Sequence, residues 1–285
     1  MEIIVGKTAG FCFGVANAVN KTKKVLEGEK EIYCLGELVH NKEVTKELEN
    51  SGVIFINKVE EANRNIIIRA HGEPEATYKK IKELKLNLID LTCPKVMKIH
   101  DIVKQYAKNG FYILLVGQKE HPETIGTISY CGRNSDIMEK EEDIDKIITK
   151  LNGLKINKIL IISQTTFSLE KFKKITGIIK EKISNVAKIE IKNTICTATK
   201  IRQEETYEIA KKVDLMIIIG GKNSSNTEKL YKISKSICKN SLLIENCKEL
   251  DVNYIKKFNK IGIMAGASTP QKSITSVVEM LGEIW

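Results

Sequence analysis

The chain reads as α/β, built from three pseudo-repeated units of parallel sheet and helix. Three observations predict this. Continuous β-branched apolar runs, such as Tyr112-Ile113-Leu114-Leu115-Val116 and Leu215-Met216-Ile217-Ile218-Ile219, alternate with helical patterns, as strands buried on both faces do. Cys12, Cys93 and Cys196 each open a helical run, and each is followed 24 residues later by a glycine, Gly36, Gly117 and Gly220. Each is also followed 28 residues later by a polar side chain, His40, His121 and Ser224. Both spacings hold in all three copies, which argues for an internal repeat presenting one cysteine per copy.

Taken in order, Glu2-Ile3-Ile4-Val5 is a short strand free to pair with another unit's sheet. After Gly10-Phe11-Cys12-Phe13-Gly14 a helix is expected over residues 15–26, then strands at Ile32-Tyr33-Cys34-Leu35 and at residues 65–68. In the second copy Pro94 suits a first helical turn, with a helix over residues 96–107 and strands at 112–116 and 158–162. Within this copy, residues 139–145 are acidic and read as the exposed start of a helix,. The lysine-rich stretch 171–182 reads as a solvated helix face. In the third copy the helix runs from Cys196 to about Lys212, with strands at 215–219 and 261–264. Thr165 and Ser268 each fall 72 residues after their cysteine, while His71 follows Cys12 by 59. Boundaries near Cys93 and Cys196 give units 1–92, 93–194 and 195–285, with no Pro/Gly/Ser-rich linker to separate them,.

The 285 residues are 42% hydrophobic and 29% charged, as in an ordinary soluble globular protein,. No apolar run approaches the ~18–20 residues of a membrane span, and the N-terminus lacks signal-peptide segments,. These features predict a cytoplasmic chain without a membrane partner. Seven cysteines fit reduced thiols or metal ligands better than a disulfide framework,. The net charge of +10 suits an anionic substrate or an acidic partner,. Its lysines are spread over amphipathic helices, which is a poor nucleic-acid footprint.

A thiol at a helix N-terminus meets the positive end of the dipole, which favours the metal-binding thiolate. Three such thiols fit zinc with three cysteines and a histidine, or an iron–sulfur cluster with one iron unligated by cysteine; spacing alone does not choose. Cys34, Cys131, Cys238 and Cys247 do not repeat across the copies and read as structural. His40, His71, His121, Thr165, Ser224 and Ser268 all follow strands, where parallel α/β units bind ligands,. Imidazoles, hydroxyls and amides at helix starts suit a phosphate or diphosphate, and Ser224-Ser225-Asn226 is a dense donor set that also serves as a helix N-cap. Glu123, beside His121, is placed to relay protons or simply to sit as a charge in a first helical turn. His100 lies inside a helix and is assigned to surface or core. Neither a P-loop nor a dinucleotide-binding glycine turn is present,.

Nine segments in order resemble one family over essentially the whole chain. They are Gly10-Phe11-Cys12-Phe13-Gly14-Val15, Val39-His40-Asn41, Ala70-His71-Gly72, Thr92-Cys93-Pro94, His121-Pro122-Glu123, Ser163-Gln164-Thr165-Thr166, Thr194-Ile195-Cys196, Asn223-Ser224-Ser225-Asn226 and Ala265-Gly266-Ala267-Ser268. The family is 4-hydroxy-3-methylbut-2-enyl diphosphate reductase, of the non-mevalonate isoprenoid route. The resemblance implies three units in a trefoil around a central [4Fe–4S] cluster, one per chain, ligated by Cys12, Cys93 and Cys196. It further implies that His40, His71, His121, Ser224, Ser225, Asn226 and Ser268 hold the diphosphate. Glu123 would deliver protons, and Thr165 or its neighbour Thr166 would orient the substrate hydroxyl. Phe13 and Thr197 depart from the family, which often has a small residue and an acidic residue at those places.

The implied reaction removes the allylic hydroxyl reductively, giving isopentenyl and dimethylallyl diphosphate. A reduced flavodoxin or ferredoxin would supply electrons to a monomeric enzyme. Two alternatives are a non-catalytic iron–sulfur sensor that binds nucleic acid and a zinc hydrolase. The first leaves the donor ring and Glu123 without a role, and catalytic zinc more often takes histidine-rich ligation.

Overall fold

The structure is a computed structural model that describes residues 2–154, 156–183 and 186–283. The chain begins with β1 (Glu2–Val5), α1 (Phe13–Leu26), β2 (Ile32–Leu35), α2 (Lys42–Asn50), β3 (Val53–Ile56), β4 (Asn65–Ile68), α3 (Glu75–Glu83) and β5 (Asn87–Asp90). It continues through α4 (Pro94–Lys108), β6 (Tyr112–Val116), α5 (Pro122–Ser129), β7 (Ser135–Met138), α6 (Ile144–Gly153), β8 (Lys158–Ser163), α7 (Leu169–Lys182) and β9 (Lys188–Ile191). The last stretch holds α8 (Thr197–Ala210), β10 (Leu215–Ile219), α9 (Ser225–Ile237), β11 (Ser241–Ile244), α10 (Val252–Ile255), β12 (Lys260–Ala265) and α11 (Gln271–Glu283). The expected helices and strands are all present, with bounds shifted by a residue or two.

The strands form three four-stranded parallel sheets, ordered β3-β2-β4-β5, β7-β6-β8-β9 and β11-β10-β12-β1. These are one topology used three times. In each sheet the outermost strand beside the third is the strand that leads to a cysteine. β5 precedes Cys93, β9 precedes Cys196, and β1 precedes Cys12. β1 closes the last sheet by pairing with β12, Ile3 opposite Ile261 and Val5 opposite Ile263, so the N-terminal strand does join the sheet of another copy.

The chain clusters into two compact units. One comprises the chain up to Glu31, Glu37–Ile54 and the chain from Thr197 onward, and carries the sheet β11-β10-β12-β1. The other comprises Ile32–Gly36 and Phe55–Cys196, and carries the sheet β7-β6-β8-β9 with most of β3-β2-β4-β5.

Every residue of β4, β6 and β10 is buried, as continuous apolar runs require,. The period of two sends alternate side chains to opposite faces. Leu114 and Val116 join Ile147, Ile148, Phe172 and Ile175 of α6 and α7 on one face. Ile113 and Leu115 join Ile99 and Val103 of α4 on the other. In the first unit Ile217 and Ile219 pack with Ile274 and Val277 of α11, and Met216 and Ile218 pack with Ile209 and Ala210 of α8. Helices α4 and α8, which follow Cys93 and Cys196, therefore pack on their sheets through buried apolar side chains. Truncating one of these side chains, Leu114→Ala for instance, is worth about 2–5 kcal/mol of stability. In α7, Phe172, Ile175 and Ile179 are buried while its lysines face solvent, as the solvated-face reading expects. The acidic stretch forms a short turn, Glu141–Asp143, that leads into α6.

Candidate functional site

Each cysteine is delivered to the same place on its sheet. The N–H of Cys12 donates to the carbonyl of Ala267, that of Cys93 to Ala70, and that of Cys196 to Thr165, each at 3.0 Å. Ala267, Ala70 and Thr165 each stand two residues beyond the end of β12, β4 and β8. Those strands pair with β1, β5 and β9, so two adjacent strands present each thiol at the carboxyl edge of a sheet. Cys12 and Cys93 are the N-caps of α1 and α4, and Cys196 directly precedes α8.

This geometry corrects the repeat register. The equal 72-residue spacing equates Thr165 with Ser268, but the strand ends equate Thr165 with Ala70 and Ala267. The residue matched to His71 and Ser268 is Thr166. Spacing counts residues through helices and loops of unequal length, whereas the strand end fixes position in space.

The second unit carries His71, Cys93, His121, Glu123, Thr165 and Cys196. His121 caps α5, and its Nδ1 accepts the N–H of Glu123 at 3.1 Å. A backbone N–H can only donate, so the neutral imidazole carries its proton on Nε2. Glu123 is 3% exposed. Its carboxylate accepts the N–H of Thr165 at 2.6 Å and the Thr165 hydroxyl at 2.6 Å. His71 meets His121 edge to face, with ring centroids 5.4 Å apart. Gly72, after His71, has φ +72°, and a Cβ there would meet Cε1 of His100 at 2.8 Å. His100 is therefore core, stacked on Tyr130 with centroids 4.4 Å apart. Burial, reinforced by the Lys104 charge, pushes it down to about 4,.

The first unit carries Cys12, His40, Ser224, Ser225, Asn226 and Ser268. The hydroxyl of Ser268 donates to the carbonyl of His40 at 3.0 Å, and Nδ1 of His40 lies 3.2 Å from the Glu37 carboxylate. Gly221 permits this approach, since a Cβ there would lie 2.6 Å from the same carbonyl. Ser224 caps α9 by accepting the N–H of Thr227 at 3.4 Å, and Ser225 accepts from Lys229 Nζ at 2.5 Å. Asn226 is 4% exposed, and neither atom of its amide has a hydrogen-bond partner among the described residues. A buried amide at the first turn of a helix, without a protein partner, is a ready site for an anion.

The family model described as LytB protein matches residues 3–282. The chain belongs to the LytB family. The 4-hydroxy-3-methylbut-2-enyl diphosphate reductase of Alkaliphilus oremlandii is 38% identical over 288 residues, covering 100% of both chains. The protein of the same name from Clostridioides difficile is 39% identical, covering 99% of each, and that from Aquifex aeolicus is 40% identical, covering 100% of this chain and 97% of the other. A solved (E)-4-hydroxy-3-methyl-but-2-enyl diphosphate reductase, described as the terminal enzyme of the non-mevalonate pathway, matches with TM-score 0.71 and 38% identity over 99% of this chain and 100% of the other. The E-1-hydroxy-2-methyl-but-2-enyl-4-diphosphate reductase of Plasmodium falciparum matches with TM-score 0.91 and 33% identity, over 98% of this chain and 87% of the other. This LytB member is an enzyme, an oxidoreductase.

The thiols fit the iron–sulfur group that the LytB family implies. Cys12, Cys93 and Cys196 are partly exposed at helix starts. Cys34 and Cys131 are buried, and burial pushes each thiol up to about 12, which keeps it protonated,. Cys238 is buried too, with its thiol against the carbonyls of Asp214 and Asn240. Sequence reasoning missed the side chains that shape the cysteine loops. Asp90 and Asn193 stand three residues before Cys93 and Cys196, and that repeated position was the available signal.

Proposed function

We propose that the protein reduces (E)-4-hydroxy-3-methylbut-2-enyl diphosphate to isopentenyl and dimethylallyl diphosphate, with Cys12, Cys93 and Cys196 as the thiolate ligands of one [4Fe–4S] cluster. The observation that carries this is Thr165. Its N–H and hydroxyl both donate to Glu123, and its carbonyl accepts the N–H of Cys196. One residue thus ties a buried acid to a ligand cysteine. When bound, such a cluster supplies electrons and a Lewis-acidic iron at the substrate hydroxyl.

The chain's own residues do the rest. Thr165 orients the hydroxyl, and Glu123 passes a proton through it to the departing oxygen. The substrate takes up two electrons and two protons. The C–O bond breaks, water leaves, and a C–H bond forms at either end of the allylic unit, hence two products. His40, His71, His121, Ser224, Ser225, Asn226 and Ser268 hold the diphosphate. Nε2–H of His121 is a donor that the protein itself has oriented, and the amide of Asn226 is buried without a partner among the described residues. Helix α9 adds its positive end,.

Reduced flavodoxin or ferredoxin is the proposed electron donor, and the net charge of +10 suits such acidic carriers,. The enzyme would act as a cytoplasmic monomer. No helix among the described residues is long and apolar enough to cross a membrane.

Anaerobic purification with iron and sulfide analysis, followed by an assay of substrate consumption with an artificial reductant, tests this reading. Iron and sulfide together with turnover are expected. A colourless, zinc-loaded protein that stays inactive after cluster reconstitution would overturn it.

A further inference from the structure

The three cysteine loops are not braced alike. Three residues before Cys93, Asp90 accepts the N–H of Thr92 at 2.9 Å and its hydroxyl at 2.5 Å. Three residues before Cys196, Asn193 accepts the N–H of Ile195 at 3.1 Å. Each is an Asx turn, a short polar side chain folding its own backbone back before the helix. Three residues before Cys12 stands Ala9, which has no acceptor to offer.

The loop before Cys12 is held from α8 instead. Oε1 of Glu205 accepts the N–H of Lys7 at 2.7 Å, and Oε2 accepts the N–H of Thr8 at 2.9 Å and its hydroxyl at 2.5 Å. Nε of Arg202 donates to the carbonyl of Thr8 and its Nη2 to the carbonyl of Gly10, both at 2.9 Å. The two side chains are three residues apart on one helix face. Between them they grip donors and acceptors on both sides of Ala9. Gly10 has φ +102°, a conformation costly for any other residue, so the segment needs outside support to keep one shape. Arg202 is 3% exposed. A buried guanidinium needs partners for its donors, and here Nε and Nη2 are spent on backbone carbonyls,.

We propose that Arg202 and Glu205 are positioning residues for Cys12, a long-range clamp that replaces the Asx turn found before the other two cysteines. The proposal deepens the ligand reading of Cys12 and rests on it for its catalytic meaning. The clamp itself is a property of the polypeptide. Burial pushes the Glu205 carboxyl up, but the hydrogen bonds from Thr8 and Lys7 and the Arg202 charge together outweigh it and hold the group below its usual range,. That is the behaviour of a carboxylate that works as an ion.

The test is site-resolved alkylation of the full chain by iodoacetamide, read by mass spectrometry at each cysteine, with and without reconstituted iron and sulfide. Glu205→Gln is expected to accelerate alkylation of Cys12 by about tenfold, since charge-assisted hydrogen bonds carry at least that factor. Cys93 and Cys196, held by their own Asx turns, should keep wild-type rates. Thr8→Val, which removes one hydroxyl and leaves the fold's buried charge in place, should give a smaller rise confined to Cys12. In the reconstituted protein Glu205→Gln should also shorten cluster lifetime against a chelator. An equal rise at all three cysteines, or no change at Cys12 in either variant, would overturn the clamp. A Cys12-selective rise in protein that never takes up iron would uphold the clamp and sink the cluster reading alone.

Discussion

Glu123 and Asn226 occupy one place in two copies of the same motif. Each lies two residues after an N-cap, His121 of α5 and Ser224 of α9. Each copy also has a residue two beyond a strand end that accepts a cysteine N–H, Thr165 in one and Ala267 in the other. The partners of the two side chains differ. In the second unit Thr165 satisfies the Glu123 carboxylate. In the first unit the matched residue, Ala267, has no hydroxyl, and the Asn226 amide is without a partner among the described residues. A buried polar group without a partner costs about 1–3 kcal/mol. The repeat thus kept one scaffold and divided the labour. One copy holds a buried carboxylate between two donors, and the other keeps a buried amide without a partner among the described residues.

The strongest way to break this comparison is Glu123→Gln. Turnover should fall by about 10²–10⁴ while diphosphate affinity stays within about twofold. Anaerobic kinetics and calorimetry would check this, and a near-normal rate would remove Glu123 from the proton path. Next comes Thr165→Ala, which gives the second unit the pattern of the first. It should lower stability by about 1.5–3 kcal/mol in denaturant titration, because a buried carboxylate loses a hydroxyl partner. Asn226→Ala should act in the opposite sense on stability. The midpoint of unfolding should not drop, whereas diphosphate binding should weaken about tenfold, a loss near 1.4 kcal/mol.

The last contrast separates the two units by pH. His100 is held down to about 4 from its ordinary 6.5 by burial and then by Lys104. The unfolded chain therefore takes up a proton that the native chain refuses. The stability this histidine contributes is full above its ordinary pKa and is lost as the pH falls from about 6.5 toward 4, by at most about 1.4 kcal/mol per unit. Glu205 in the first unit is held below its usual range, so its contribution persists until the pH falls below the ordinary carboxylate value. Between about pH 6.5 and 5, hydrogen exchange should rise in α4 before α8. His100→Gln should abolish that difference; parallel rises in both helices would refute it.

Much of this was legible in the residues. The buried strands announced themselves, because runs such as Ile66-Ile67-Ile68 have no polar face to offer solvent. The edge strands β5 and β9 were not singled out, since Asn-Leu-Ile-Asp and Lys-Ile-Glu-Ile are half polar and short. The cysteines and His121 were visible through the repeat, as were Glu123 and Asn226 through their motifs. What their side chains do was not. Glu123 reads equally well as a first-turn charge until Thr165, 42 residues away, is seen to hold it. Arg202 reads as one more cation on an amphipathic helix until it reaches Thr8 across 194 residues.

Sequence alone determined the α/β class, the threefold repeat, the cysteine at the head of each copy and the family. These signals are local or periodic, and burial and helix geometry enforce them wherever they occur. Only the tertiary structure decided the true register of the strand-end residues, the pairing of Glu123 with Thr165, the unmet amide of Asn226 and the clamp on the loop of Cys12. Each of those depends on which backbone groups meet across distant segments, and no spacing along the chain encodes that meeting.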